Sequence, residues 1–347
     1  MTGLDPAKDP TSDPFRLLFL NRTDVIDCGG HSCDLFVNTV AEALALHARG
    51  DVVQPLKPYL RWRPNGHIAD RIIAMPAYLG GDRPTAGLKW IGSKHDNPAR
   101  LGRERASALI ILNDVETHYP LAVMEGGLIS AGRTAALTAV ATRHLARADF
   151  THVACIGCGP IGRAQVLTTL EQFPHVEAVH LYDLREEAAT RVAKEITASH
   201  PGIAAVVEAG PEEAVRAGDV VITCTVSSQP WLDFGWLRKG SFLSNVSIMD
   251  AGKEVFLRAD KVVVDDWEQA NREGKVLHQL TSDGSFSRER LHAELGQVVI
   301  GERPGREDDA EIILLNPMGM AVLDVACARA VFDRAIRAGV GTWLSLL

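Results

Sequence analysis

The pattern of apolar and polar positions changes rhythm near residue 151. From there, short β-branched runs alternate with segments of helical spacing. HVACIG (152–157) leads to a helix from Pro160 to Phe173, and AVHLYD (178–183) to a helix over 185–199. IAAVVEA (203–209), a short helix over 211–217 and DVVITCT (219–225) follow, with SFLSNVS (241–247) and KVVVDD (261–266) beyond. Strands separated by helices of this length need right-handed crossovers, which build a parallel, doubly wound sheet.

The preceding part reads differently. LRWRPNGHIADRIIAMPAYLGG, TAGLKWIGS, ASALIILND and YPLAVMEGG are short strands broken by Gly, Pro and Asn turns, the pattern of a meander. Helices are expected over 33–48 and over the Ala-rich 131–146. From Met318, MGMAVLDVACARAVFDRAIRAG forms one long amphipathic helix with Gly339 as its stop. If that helix folds back on the first part, the expected organisation is a doubly wound α/β domain over 148–314. It is inserted into an α+β domain made of 16–147 and 315–347. Residues 1–15, rich in Asp and Pro, read as a flexible tail.

Composition narrows the class. A chain of 347 residues holds about two domains at ~150 residues each. Its net charge of -8 gives no general attraction to nucleic acid or anionic membranes. No apolar run approaches the ~20 residues of a membrane span, and MTGLDPAKDP lacks a signal peptide's apolar stretch. The six cysteines are scattered without the density of a disulfide framework, so a cytoplasmic location is expected.

The sharpest local motif is IGCGPIG, with Gly157, Gly159 and Gly162 at G-x-G-x-x-G spacing between a strand and a helix that opens on Pro160 and Ile161. The first glycine permits the tight turn and the second lets a pyrophosphate approach. The third lets helix and strand pack closely, with the helix N-terminus facing the anion. Asp183 ends the next strand, 24 residues after Gly159, where a carboxylate accepts the ribose hydroxyls and repels a 2′-phosphate. NAD is therefore expected over NADP, although Arg185 nearby is a residue type that accommodates the extra phosphate. The alternative is that the glycines only make a turn and Asp183 only caps a helix.

Ligands of open α/β sheets sit at the carboxyl ends of strands. Thr225, Val226, Ser227, Ser247 and Asp250 fall at such ends. Asp250, in SIMDAGKE, would face the nicotinamide or else cap the helix begun by AGKEVF. Cys155 and Cys158 form C-x-x-C, but no second pair completes a tetrahedral metal site, so they are expected to be small buried residues.

IGCGPIG, RTAA (133–136), LKWIGS (88–93) and SIMDAGKE together resemble the ornithine cyclodeaminase/mu-crystallin family over almost the whole chain. QPLKPYLR (54–61), NGHIADRIIAMP (65–76), KWIGSKHDNP (89–98), LHAELGQ (291–297) and EIILLNPMGMA (311–321) are similar to its N-(2-amino-2-carboxyethyl)-L-glutamate dehydrogenase branch. The resemblance implies a homodimer whose Rossmann domain sits beside a substrate and dimerisation domain made from both chain ends. It implies oxidation of a glutamate–diaminopropionate adduct with NAD, releasing 2-oxoglutarate and L-2,3-diaminopropionate, a building block of siderophores and peptide antibiotics. Residue by residue, Arg61 matches the family's substrate-carboxylate arginine, Lys89 its active-site lysine, Arg133 the arginine opening the RTAA helix and Asp250 its catalytic aspartate. Cyclodeaminases carry Glu three residues before the Pro of a Met-Pro pair, where this chain has Ile73.

Such a substrate carries three carboxylates, and Arg61, Arg71, Lys89, Lys94 and Arg133 are the candidate cations, Arg133 for cofactor as well as substrate. Lys89 lies in an apolar strand, where desolvation would lower its pKa and let it exchange protons with Asp250 as the alternative base. His67 and His95 either line the pocket or are structural. The competing readings are an ornithine cyclodeaminase, ketimine reductase or alanine dehydrogenase on the same scaffold. A further one is a ligand- and NAD(P)H-binding protein without turnover.

Overall fold

A computed structural model describes residues 15–62, 66–247 and 249–347. Apart from Phe15, the expected tail lies outside them. The chain divides into two compact units. The first takes the described residues up to Leu35, Gly50–Ser130 and Ala321–Leu347; the second takes Phe36–Arg49 and Ala131–Met320.

The first unit is built on the meander. Arg71–Leu79, Thr85–Ser93, Ala106–Asn113 and Pro120–Glu125 pair antiparallel in succession. Arg16–Leu20 adds in parallel beyond Pro120–Glu125, and Thr342–Ser345 closes that edge. Alternation gives the sheet two distinct faces. One buries Ile73, Met75, Ala77, Leu79, Ala108, Ile110, Leu112, Ala122 and Met124. The helix Ala321–Ala338 lies against three of these strands, burying Val322, Val325, Ala328, Val331 and Ala335, and ends at Gly339 with φ +65°. The opposite face is also apolar: register aligns Ala74, Trp90 and Leu109 in one row and Pro76, Leu88, Ile111 and Val123 in the next. None of these outward residues is buried within the chain, and Trp90 is 41% exposed.

The second unit carries an eight-stranded sheet, parallel throughout among the described residues. Its order is Ala204–Val207, Ala178–Tyr182, His152–Ile156, Val220–Thr223, Phe242–Asn245, Ile313–Leu315, Lys261–Val264 and Ala293–Glu294. The chain winds outward from His152–Ile156 in one direction and resumes at Val220–Thr223 in the other. The sheet therefore has a topological switch point between those two strands, the place where such sheets bind ligands.

The units part at 130/131 and 320/321 rather than at the 147/148 and 314/315 read from the sequence. Side-chain bonds explain the shift. Within Gly127–Leu145, Thr134 accepts from Gln165 and Thr138 bonds Ser244. Ile313–Leu315 is an interior strand of the second sheet. His47 bonds Asp266, and Gly296 packs so closely on the Leu44 carbonyl that a Cβ there would lie 2.5 Å from it. No helix among the described residues is long and apolar enough to cross a membrane.

Candidate active site

At the switch point of the second unit, the three glycines of IGCGPIG have three different environments. Gly157 adopts φ +96°, and a Cβ on it would lie 2.7 Å from the Cys224 backbone. A Cβ on Gly162 would lie 2.0 Å from the Gly157 carbonyl oxygen, so helix and turn touch backbone to backbone. Gly159 has nothing within 4 Å of its Cβ position, and it is the N-cap of Pro160–Gln172 without any side-chain cap. The first and third glycines are thus required by packing. The second leaves open space in front of uncapped N–H groups, as a pyrophosphate needs.

Asp183 does not cap the following helix, whose N-cap is Arg185. Its carboxylate accepts from the backbone of Cys158, at 2.9 Å, and of Arg185. An acid is therefore fixed against the glycine turn, where a ribose would lie. Cys155 and Cys158 are buried, and the neighbouring Cys155 thiol together with burial pushes the Cys158 thiol far above its ordinary range.

Asp250 is fully buried and accepts from the Thr225 hydroxyl and, at 3.3 Å, from the Thr225 backbone. It does not cap Lys253–Arg258 either, because Gly252 occupies that position. Ser227 N–H donates to Thr225 Oγ1, and Val226 between them is 45% exposed. Ser247 is buried with Thr223 and Asn245, and Asn245 donates to Asn316 at 2.8 Å. This polar network, of which the sequence reading identified only Ser247, ties together the carboxyl ends of three adjacent strands. Arg133 is also buried in this unit, and its guanidinium sits where Gly319, at φ +79°, has no side chain.

In the first unit, Lys89 is 1% exposed and donates to Asp324 at 2.7 Å and to Ser130 at 3.1 Å. Desolvation alone favours a neutral lysine, whereas an adjoining carboxylate favours the ammonium, and the structure gives the Lys89 amine such a partner. Asp324 was missed. The available signal was an acid in the apolar stripe of the last helix, three residues after Ala321 and four before Ala328.

Arg61, Arg71 and Lys94 come together at the other end of the same strands, around a cavity of about 310 Å³. The guanidiniums of Arg61 and Arg71 lie 4.9 and 5.5 Å from the Tyr59 ring centroid. Lys94 pairs with Asp70 at 2.6 Å and Asp96 at 2.8 Å. His67 and His95 stack at 4.2 Å, and His95 bonds Asp70. Neither histidine is among the residues lining the cavity.

The profile of the ornithine cyclodeaminase/mu-crystallin family matches residues 22–339. The chain belongs to that family. Among its relatives is the N-((2S)-2-amino-2-carboxyethyl)-L-glutamate dehydrogenase of Staphylococcus aureus, 54% identical over 95% of this chain and 98% of that protein. Among solved structures, an archaeal alanine dehydrogenase dimer with bound NAD superposes with a TM-score of 0.86 at 34% identity, covering 96% of this chain and 100% of that one. The Δ1-pyrroline-2-carboxylate reductase of Thermococcus litoralis in complex with NADH and L-proline gives 0.88 at 30% identity, covering 94% and 99%. The Rossmann-type reading of the second unit agrees with both.

Proposed function

We propose that this chain oxidises N-((2S)-2-amino-2-carboxyethyl)-L-glutamate with NAD and water, giving 2-oxoglutarate, L-2,3-diaminopropionate, NADH and a proton. The observation that carries this reading is the 54% identity, across nearly the full length of both chains, to a dehydrogenase of that substrate. Ile73 in place of the cyclodeaminase glutamate supports dehydrogenation over cyclisation.

The glycine turn and Asp183 hold NAD, with Thr225, Val226, Ser227 and Ser247 along the same strand ends. When bound, NAD accepts the hydride from the glutamyl Cα. Asp250 takes the proton of the secondary ammonium, freeing the nitrogen lone pair to form an iminium as hydride leaves. Water then adds to that carbon, and the carbinolamine collapses to the keto acid and the primary amine, with Asp250 passing protons. Lys89, ion-paired with Asp324, and Arg61, Arg71, Lys94 and Arg133 are the cations assigned to the substrate's carboxylates.

The protein acts as a homodimer in the cytoplasm and feeds a siderophore or peptide-antibiotic assembly. The apolar outward rows around Trp90 and Leu109 support the dimer, because contiguous exposed apolar surface marks an interface. The test is NADH formation at 340 nm with the synthetic adduct, with ornithine and alanine in parallel. Adduct-dependent NADH matched one to one by 2-oxoglutarate supports the reading. Proline from ornithine, with silence on the adduct, overturns it.

A further inference from the structure

Asp265 directly follows the strand Lys261–Val264 and is fully buried. Its carboxylate faces a turn of the neighbouring strand's exit. It accepts from the backbone N–H of Met318 at 3.0 Å and of Gly319 at 2.7 Å, and from that of Asp266 at 3.0 Å. The same turn is held at its start by Asn316, whose side chain accepts from Asn245 at 2.8 Å. Residues 316–319, which leave the strand Ile313–Leu315, are thus clamped by side chains from the ends of the two strands that flank it.

The clamped backbone lies against Arg133. Gly319 has φ +79°, and a Cβ on it would lie 3.0 Å from Nη2 and 3.2 Å from Nη1 of that guanidinium. The residue that leaves room for Arg133 is therefore the one whose N–H Asp265 holds most closely. Arg133 itself, on the helix Gly127–Leu145, is 5% exposed. Met318 and Gly319 are only half-buried, so water could serve their N–H groups. A fully desolvated carboxylate is a costly substitute for water, and what it adds is a fixed backbone beside the guanidinium.

We propose that Asp265 is a positioning residue: by fixing the backbone of Met318 and Gly319 it sets the place of the Arg133 guanidinium. The inference rests on the proposed function for what Arg133 binds, a substrate carboxylate. A guanidinium already fixed in place loses less freedom when it grips that carboxylate, so the effect belongs to binding rather than to the chemical step.

The test is a double-mutant cycle of Asp265→Asn and Arg133→Met, read in steady-state kinetics on the adduct and by NMR. Asparagine keeps the size and one acceptor oxygen, but it turns an amide donor toward N–H groups that are donors themselves. Losing a hydrogen bond to a charged group costs about ten- to a hundredfold in affinity, so Arg133→Met should raise KM by that factor. Asp265→Asn should raise KM by about tenfold with kcat little changed, the pattern of lost uniform binding. In the Arg133→Met background it should add less than about threefold. The Arg133 Nε–Hε resonance, identified by its loss in Arg133→Met, should shift or broaden in Asp265→Asn before any substrate is added. The same tenfold in both backgrounds, an unmoved resonance, or a lower melting temperature with KM unchanged overturns the positioning role and leaves the dehydrogenase reading intact. A displaced resonance in a protein inactive on the adduct retains the role and rejects that reading. If Asp265→Asn does not fold, Gly319→Ala, which drives a Cβ against the guanidinium, takes its place with the same expected changes in KM and resonance.

Discussion

The ammonium of Lys89 and the carboxylate of Asp324 face each other at 2.7 Å, with the two side chains 1% and 0% exposed. One comes from the middle of a strand and the other from the last helix. Removing either partner strands a buried charge, which costs about 3–5 kcal/mol, whereas replacing both with apolar groups is often neutral. Asp324→Asn and Lys89→Met should each lower unfolding stability by about that amount in urea titrations. The double variant Lys89→Met/Asp324→Leu should recover most of the stability and remain inactive. Activity that returned with stability would show that the pair serves only the fold.

Asp250 is held by the Thr225 hydroxyl and backbone rather than by a helix N-terminus. Asp250→Asn preserves size and removes the base, so turnover should fall by about 10²–10⁴. NADH affinity, measured by fluorescence, should change little. Thr225→Val, which leaves the carboxylate but removes one of the donors that orient it, should give a smaller loss of turnover than Asp250→Asn.

The parts of this site legible in the sequence are those whose cause is local. Gly157, Gly159, Gly162 and Asp183 announce themselves by spacing because one turn and two adjacent strands create the need for them. The meander is equally legible, because short apolar runs such as Arg71–Leu79 and Thr85–Ser93 are set off from one another by Gly, Asp and Pro turn residues. The Lys89–Asp324 pair was not, since its members are 235 residues apart and either alone reads as a surface charge or a lowered pKa. Ile313–Leu315 is three buried residues, too short for any period, yet it sits inside the second sheet and moves the unit boundary. The choice between cap and site at Asp250 could not be made locally, because the decisive partner, Thr225, arrives from another strand.

The differing environments of Gly159 and Gly162 separate binding from folding. Gly162→Ala drives a Cβ into the Gly157 carbonyl and should cost about 1–3 kcal/mol of stability or more. Gly159→Ala meets nothing within 4 Å and has φ -72°, which alanine adopts freely, so its melting temperature should match the wild type. Its methyl group fills the space through which the pyrophosphate approaches, and NADH affinity should fall by roughly ten- to a hundredfold. Calorimetric melting and NADH titration of the two variants check both halves. Normal NADH binding by Gly159→Ala would remove the turn from the cofactor site.

His47 offers a pH signature. Its ring bonds Asp266 at 3.0 Å, and although burial lowers its pKa, the Asp266 bond and the charges of Asp266, Glu294 and Asp265 raise it above the ordinary value. A histidine whose folded pKa exceeds its unfolded one stabilises the fold fully below the unfolded pKa of about 6.5, and that contribution disappears as pH rises through the folded pKa. A hydrogen bond to a charged group contributes about 1.5–3 kcal/mol. His47→Gln should therefore be less stable than wild type at pH 6 by an amount of that order or smaller. The gap should narrow steadily as urea titrations are repeated up to pH 9. A gap independent of pH would mean that the pair acts as an uncharged hydrogen bond, with no proton taken up on folding.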